Sequence, residues 1–209
     1  MKIHPIVLGT LIIASLWSNP SLAHHVMDGE IPLTLFYGLL SGLGHPVIGF
    51  DHLAFVVAVG LIGYFHQNRY LLPLAFLTGT LGGIVFQLTS FKLYLVEPAI
   101  SGSVVLLGIL ALRAKRLPTQ VVIYGFVITG IFHGYAYGST ILGAEVTPLV
   151  AYIMGLLAIQ YAIAGIVIKS LELFSGADGS KIPIRVIGSI VLGIGLVFTI
   201  ENLSTYSPL

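Results

Sequence analysis

Apolar residues fall along the chain in six long stretches, at approximately 33–66, 70–91, 96–112, 119–141, 148–169 and 184–203. Short polar breaks separate them: His66-Gln67-Asn68-Arg69, Lys92 to Glu97, Arg113-Ala114-Lys115-Arg116, Gly143 to Thr147, and Ser170 to Arg185. No break is long enough to hold a second domain. The later stretches match a membrane-crossing helix of about 20 residues. The first is too long for one crossing, since a helix over 33–66 would extend about 50 Å against a hydrocarbon core of about 30 Å. It divides at His45-Pro46-Val47-Ile48-Gly49. There Pro46 removes one helix hydrogen bond and clashes with the carbonyl four residues back, while Gly49 tolerates almost any backbone angle. The pattern predicts an all-α, polytopic membrane bundle. A partial helix over 33–44 leads into six transmembrane helices, the first broken at His45–Gly49.

A shorter apolar run, Ile6 to Trp17, follows Lys2 and ends in Ser18-Asn19-Pro20-Ser21-Leu22-Ala23. A positive start, a short hydrophobic run and a small-x-small ending are the parts of a secretory signal peptide. Residues 1–23 are therefore expected to be cleaved, leaving 24–209 as a single membrane domain that begins His24-His25.

Composition agrees: 56% of residues are hydrophobic, 8% are charged, and mean hydropathy is +1.02. A soluble domain carries about 25% charged residues. A net charge of +1 excludes an electrostatic nucleic-acid partner. With Cys at zero there is no thiolate site or disulfide framework. Charge also orients the chain. If the first stretch crosses once, starting outside, then Arg69, Arg113, Lys115, Arg116, Lys169, Lys181 and Arg185 all face the cytoplasm, and only Lys92 faces out. Both mature termini then lie outside the cytoplasm, in a multi-pass protein of the bacterial inner membrane. Six spans divide three plus three into antiparallel halves, as in an inverted repeat. The pairs Gly38/Gly42, Gly79/Gly83 and Gly134/Gly138 have the spacing that lets helices approach closely.

Ionisable groups inside spans are costly and mark sites or pathways. They concentrate in His45-Pro46-Val47-Ile48-Gly49-Phe50-Asp51-His52 and in His133-Gly134-Tyr135-Ala136-Tyr137-Gly138. In the three-plus-three scheme these motifs fall on equivalent spans, one and four. Imidazoles and a carboxylate without thiols suit Ni, Co, Zn or Cu(II). On an unbroken helix His45 and His52 would stand about 10 Å apart along the axis, so the break is needed to bring them together. Unwinding there would also free backbone carbonyls as oxygen ligands. Asp51 points away from His52 and reads as a partner that orients a ligand. His24 and His25 are further metal candidates at the mature terminus, with Asp28 and Glu30 close behind. Tyr135, Tyr137 and Gln160 are candidates for the surrounding shell or the pathway. Gln87 and Glu201 read as structural, His66 as an interfacial residue at a helix end, and Glu97 and Glu145 as outer-loop residues.

Ala23-His24-His25, the HPxxGxDH motif at His45–His52 followed by Ala58-Val59-Gly60, and FHGxA at Phe132–Ala136 resemble the HupE/UreJ family. The resemblance covers essentially the whole mature chain. It implies a secondary permease for nickel or cobalt, of a kind often associated with hydrogenase or urease maturation. It implies metal roles for His45, Asp51, His52 and His133. Family members commonly carry a second histidine in HGxAHG, where this chain has Tyr137. Ni²⁺ or Co²⁺ is then the transported substrate, with no prosthetic group, the lipid bilayer as surroundings, and a homo-oligomer compatible with the sequence. The competing readings are a metal-binding sensor or accessory subunit and an intramembrane metalloenzyme. The latter is disfavoured because the chain has no HExxH. No GxxxxGK[ST] motif is present to bind ATP. Protonation of histidine ligands below about pH 6.5 should oppose metal capture.

Overall fold

The computed structural model describes residues 30–114, 116–174 and 182–206. The expected signal peptide, His24, His25, Lys115 and Lys181 lie outside the described residues. Seven helices make up the described fold: α1 (Leu35–Ile48), α2 (Phe50–Tyr64), α3 (Leu72–Leu88), α4 (Val96–Arg113), α5 (Thr119–Ser139), α6 (Val146–Phe174) and α7 (Ile182–Tyr206). Helices α4 to α7 are each long and apolar enough to cross a membrane; α1 and α2 together have the length and apolarity of a span bent at a break, the shape of a broken span or of a re-entrant loop, and α3 is apolar but shorter.

Local chemistry sets the ends of these helices. Thr34 caps α1, its hydroxyl accepting the Tyr37 N–H at 3.3 Å, which satisfies one of the orphan donors of a helix start. Pro73 sits in the first turn of α3, where its missing N–H costs nothing. The break between α1 and α2 is sharp but small. The two helices meet at 80°, yet Gly49 alone lies outside them. Its N–H bonds the His45 carbonyl at 3.1 Å and its carbonyl accepts from Leu53 at 2.8 Å. Pro46 stays inside the last turn of α1. The expected unwinding across Pro46–Gly49 therefore reduces to a one-residue hinge, because both helices hydrogen-bond up to Gly49 from either side.

Helix α2 is apolar nearly all round, and the core collects on it: Phe55, Val56, Ala58, Val59 and Leu61 are completely buried. A helix hydrophobic on every face belongs in an interior. The other helices wrap it as close pairs that glycine makes possible. Gly38 and Gly42 of α1 lie against the backbone of Pro148 and Tyr152 on α6, with Gly155 returning the contact onto Leu39. Gly79 and Gly83 of α3 lie against Val127 and Ile131 on α5, while Gly130 and Gly134 meet Phe76 and Thr80. On α7, Gly188 and Gly195 meet Ala111 and Val105 of α4. At Gly42 and Gly134 a Cβ would overlap a backbone carbonyl, so only glycine permits these crossings. From the order of the contacts, α1 and α3 run parallel to α6 and α5, and α4 runs antiparallel to α7.

Basic residues gather at one end. Arg69 pairs with Glu172 at 3.3 Å, Lys169 pairs with the same carboxylate at 3.3 Å, and the Tyr70 hydroxyl donates to it at 3.0 Å. Beside them His66 is buried, contrary to its reading as an interfacial residue. Its Nδ1 faces the Ile62 carbonyl and its Nε2 the Leu117 carbonyl, each at 3.1 Å. The connection between α4 and α5 folds over the ring and removes it from solvent.

Candidate metal centre

The hinge at Gly49 turns the end of α1 toward the start of α2, and helix α5 passes alongside. His45, Asp51, His52 and His133 are each 3% exposed or less. The His45 and His52 ring centres are 5.8 Å apart, and those of His52 and His133 are 5.1 Å apart. Tyr137 wedges between the first two, 4.9 Å from His45 and 4.4 Å from His52. Phe55 and Phe76 close the His133 side with ring contacts at 4.1 and 5.8 Å. His45 and Tyr137, far apart in sequence, thus share one small buried volume, roughly the radius of an ion and its ligands.

Hydrogen bonds around the imidazoles define where their protons sit. Ser103 donates its hydroxyl to the Ile100 carbonyl at 2.6 Å, so toward His133 Nε2, 3.2 Å away, it acts as acceptor. His133 Nδ1 lies 3.0 Å from His52 Nδ1, so of these two nitrogens one donates and the other accepts. At His45, the Tyr152 hydroxyl and the Thr140 hydroxyl both point their protons at the Tyr137 carbonyl, at 3.1 and 2.9 Å. Tyr152 is then free to accept from His45 Nδ1 at 3.1 Å. A hydrogen bond at one ring nitrogen that readies the other for a metal is the usual arrangement around ligating histidines.

The remaining candidates divide. Asp51 is buried in the first turn of α2, its Oδ1 accepting the His52 backbone N–H at 2.8 Å. Gln160 is buried on α6 beside the Tyr137 hydroxyl, although neither its amide nor that hydroxyl has a hydrogen-bond partner at bonding distance. Tyr135 is only half-buried. Among the described residues, no three His, Asp or Glu side chains already stand in metal-binding geometry. Sequence reading missed Ser103, Thr140 and Tyr152.

The fold and site define a polytopic helical membrane protein with a buried histidine cluster at a helix hinge. A family model described as HupE / UreJ protein matches residues 11–198, and the chain belongs to this family. A curated relative, "Protein HupE" of Rhizobium leguminosarum bv. viciae, is 32% identical over 123 residues. That alignment covers 58% of this chain and 63% of the relative, so the chain matches just under two thirds of the relative's length. No solved structure matches.

Proposed function

We propose that the chain is a permease for a divalent transition-metal ion, Ni²⁺ or Co²⁺, and that the imidazoles of His45 and His52 capture the ion. The observation that carries this reading is the approach of the two rings across the Gly49 hinge. A ring centre lies about 3.2 Å from a metal its nitrogen binds, taking a bond of about 2.1 Å, so two rings sharing one ion have centres within about 6.4 Å. His45 and His52, at 5.8 Å, meet that limit. His133 holds the His52 ring by its Nδ1, and Asp51 holds the start of α2 beside it. In this reading the ion leaves part of its water shell at the imidazoles and passes toward the Arg69 end.

The helix pairing supports a two-part transporter. Exchange of spans one and four, two and five, and three and six turns the α3–α5 pair into the α6–α1 pair and returns α4–α7 to itself. The last pair keeps its register under the exchange: Val105 meets Gly195 on one side of the crossing as Ala111 meets Gly188 on the other. Rocking of such halves about a shared site is the usual form of alternating access. The gathering of Arg69 and Lys169 at one end supports a cytoplasmic location for that end, with His24 and His25 assisting capture on the opposite face.

One observation favours a second reading, a non-transporting accessory subunit: among the described residues no three His, Asp or Glu side chains are grouped as metal ligands, and Tyr137 stands where the family commonly has histidine. Accumulation of radioactive Ni²⁺ and Co²⁺ by cells expressing the chain separates the two. The permease predicts uptake that His52→Ala abolishes. Uptake by His52→Ala at the wild-type level would remove the histidine site, and a wild-type chain that binds metal without raising accumulation would favour the accessory subunit.

A further inference from the structure

The Tyr137 hydroxyl and the Gln160 amide are buried beside each other, and neither Tyr137 Oη nor Nε2 and Oε1 of Gln160 has a partner at full hydrogen-bond distance. Their side chains are 0% and 1% exposed. Buried polar groups nearly always find a hydrogen-bond partner, and one that does not calls for an explanation, a bound water or ion among them. The neighbouring buried side chains on α6, Leu156 and Ala164, are apolar and offer Gln160 no polar group. The pair also has a definite position on the pathway. The Tyr137 ring touches both His45 and His52, so its hydroxyl extends the imidazole cluster on one side. Along α6, Tyr152 meets His45 and Glu172 meets Arg69. Gln160 falls between them, about 12 Å beyond Tyr152 along the helix axis.

We propose that the Gln160 amide and the Tyr137 hydroxyl form a second station, built from neutral oxygen donors, that receives the partly hydrated divalent cation from the imidazoles on its way to the Arg69 end. This rests on the permease reading. The chemistry suits release better than capture. A hydroxyl and an amide oxygen carry lone pairs but no net charge, and both bind a transition metal more weakly than imidazole does. Passage requires sites that an ion can leave as well as enter. The amide Nε2 can only donate, which fits a water bridging the two side chains beside the ion. A carboxylate at the same place would hold the cation instead of passing it on.

Purified full-length chain in liposomes containing a Ni²⁺-quenched dye tests the proposal, alongside equilibrium Ni²⁺ binding in detergent. For Gln160→Met we expect Ni²⁺ binding within about twofold of wild type and a maximal flux lower by about tenfold, the pattern of a lost step after capture. Gln160→Glu should bind Ni²⁺ more tightly and also pass it more slowly, with KM and maximal flux falling together. Wild-type flux in Gln160→Met overturns the proposal. So does loss of binding and flux in equal proportion, which would make Gln160 part of the capture site. If Gln160→Met does not purify as a monodisperse species, Tyr137→Phe, which removes only the hydroxyl, is held to the same expectation of unchanged binding and reduced flux. Wild-type liposomes that bind Ni²⁺ and carry no flux would bring down the permease reading itself, a result distinct from any behaviour confined to Gln160.

Discussion

Replacement of Tyr137 by histidine tests the geometry of the site most directly. The phenol ring centre is 4.9 Å from that of His45 and 4.4 Å from that of His52, and the two imidazoles are 5.8 Å apart. All three sides of this triangle lie within the limit of about 6.4 Å for rings that share one ion. An imidazole set in place of the phenol should therefore complete a three-nitrogen site. Loss of a group that merely orients a ligand costs ten- to a hundredfold in metal affinity, and a direct ligand should be worth at least as much. We expect Tyr137→His to bind Co²⁺ about ten- to a hundredfold more tightly, or roughly 1.4 to 2.8 kcal/mol. Loss of the larger ring from a fully buried position should lower stability by about 1 to 3 kcal/mol. Titration of the purified chain with Co²⁺, followed by visible absorption, reads affinity and coordination together, and a melting curve reads stability. Unchanged or weaker affinity in a variant that still melts cooperatively would refute the three-ring geometry.

Ser103→Ala removes the hydroxyl that holds His133 at Nε2; metal affinity should fall by about tenfold while the chain folds, and isothermal titration checks it. Gly134→Leu forces a side chain into the Thr80 backbone and should cost at least about 1 to 3 kcal/mol, visible as a lower melting temperature or loss of monodisperse protein. His66→Phe keeps an aromatic ring but leaves the Leu117 carbonyl without its partner. A loss of about 1 to 3 kcal/mol, with metal binding at the far site unchanged, is expected from thermal unfolding and the same titration.

Much of the fold was legible because membrane helices state their needs plainly. Long apolar runs gave the helices, and Gly38/Gly42 and Gly79/Gly83 marked two interfaces that the structure uses. The hinge was legible as Pro46 and Gly49, but not its size: one missing N–H near a helix end does not unwind a turn, and only Gly49 leaves the helices. Gly130 stands four before Gly134 and could have been paired with it, whereas Gly155 has no glycine at that spacing and finds its partner, Leu39, on another helix. The four metal candidates could be named from cost alone, since a buried ionisable group needs a reason. Ser103, Thr140 and Tyr152 could not, because hydroxyls are common in spans and their value depends on which helix lies opposite. His66 was misread for a similar reason. Its burial comes from Leu117, 51 residues away.

The hinge at Gly49 also has an electrical consequence. It ends one helix and starts another within a single residue, so the partly negative carbonyl terminus of α1 and the partly positive amide terminus of α2 both face the histidines. Each terminus carries the equivalent of roughly half a charge. The α1 end attracts a cation, and the α2 end would repel it. Asp51 sits in the first turn of α2 with an oxygen on the His52 N–H, where its carboxylate offsets the repelling end and leaves the attracting one in place. A continuous helix would set neither terminus beside the histidines.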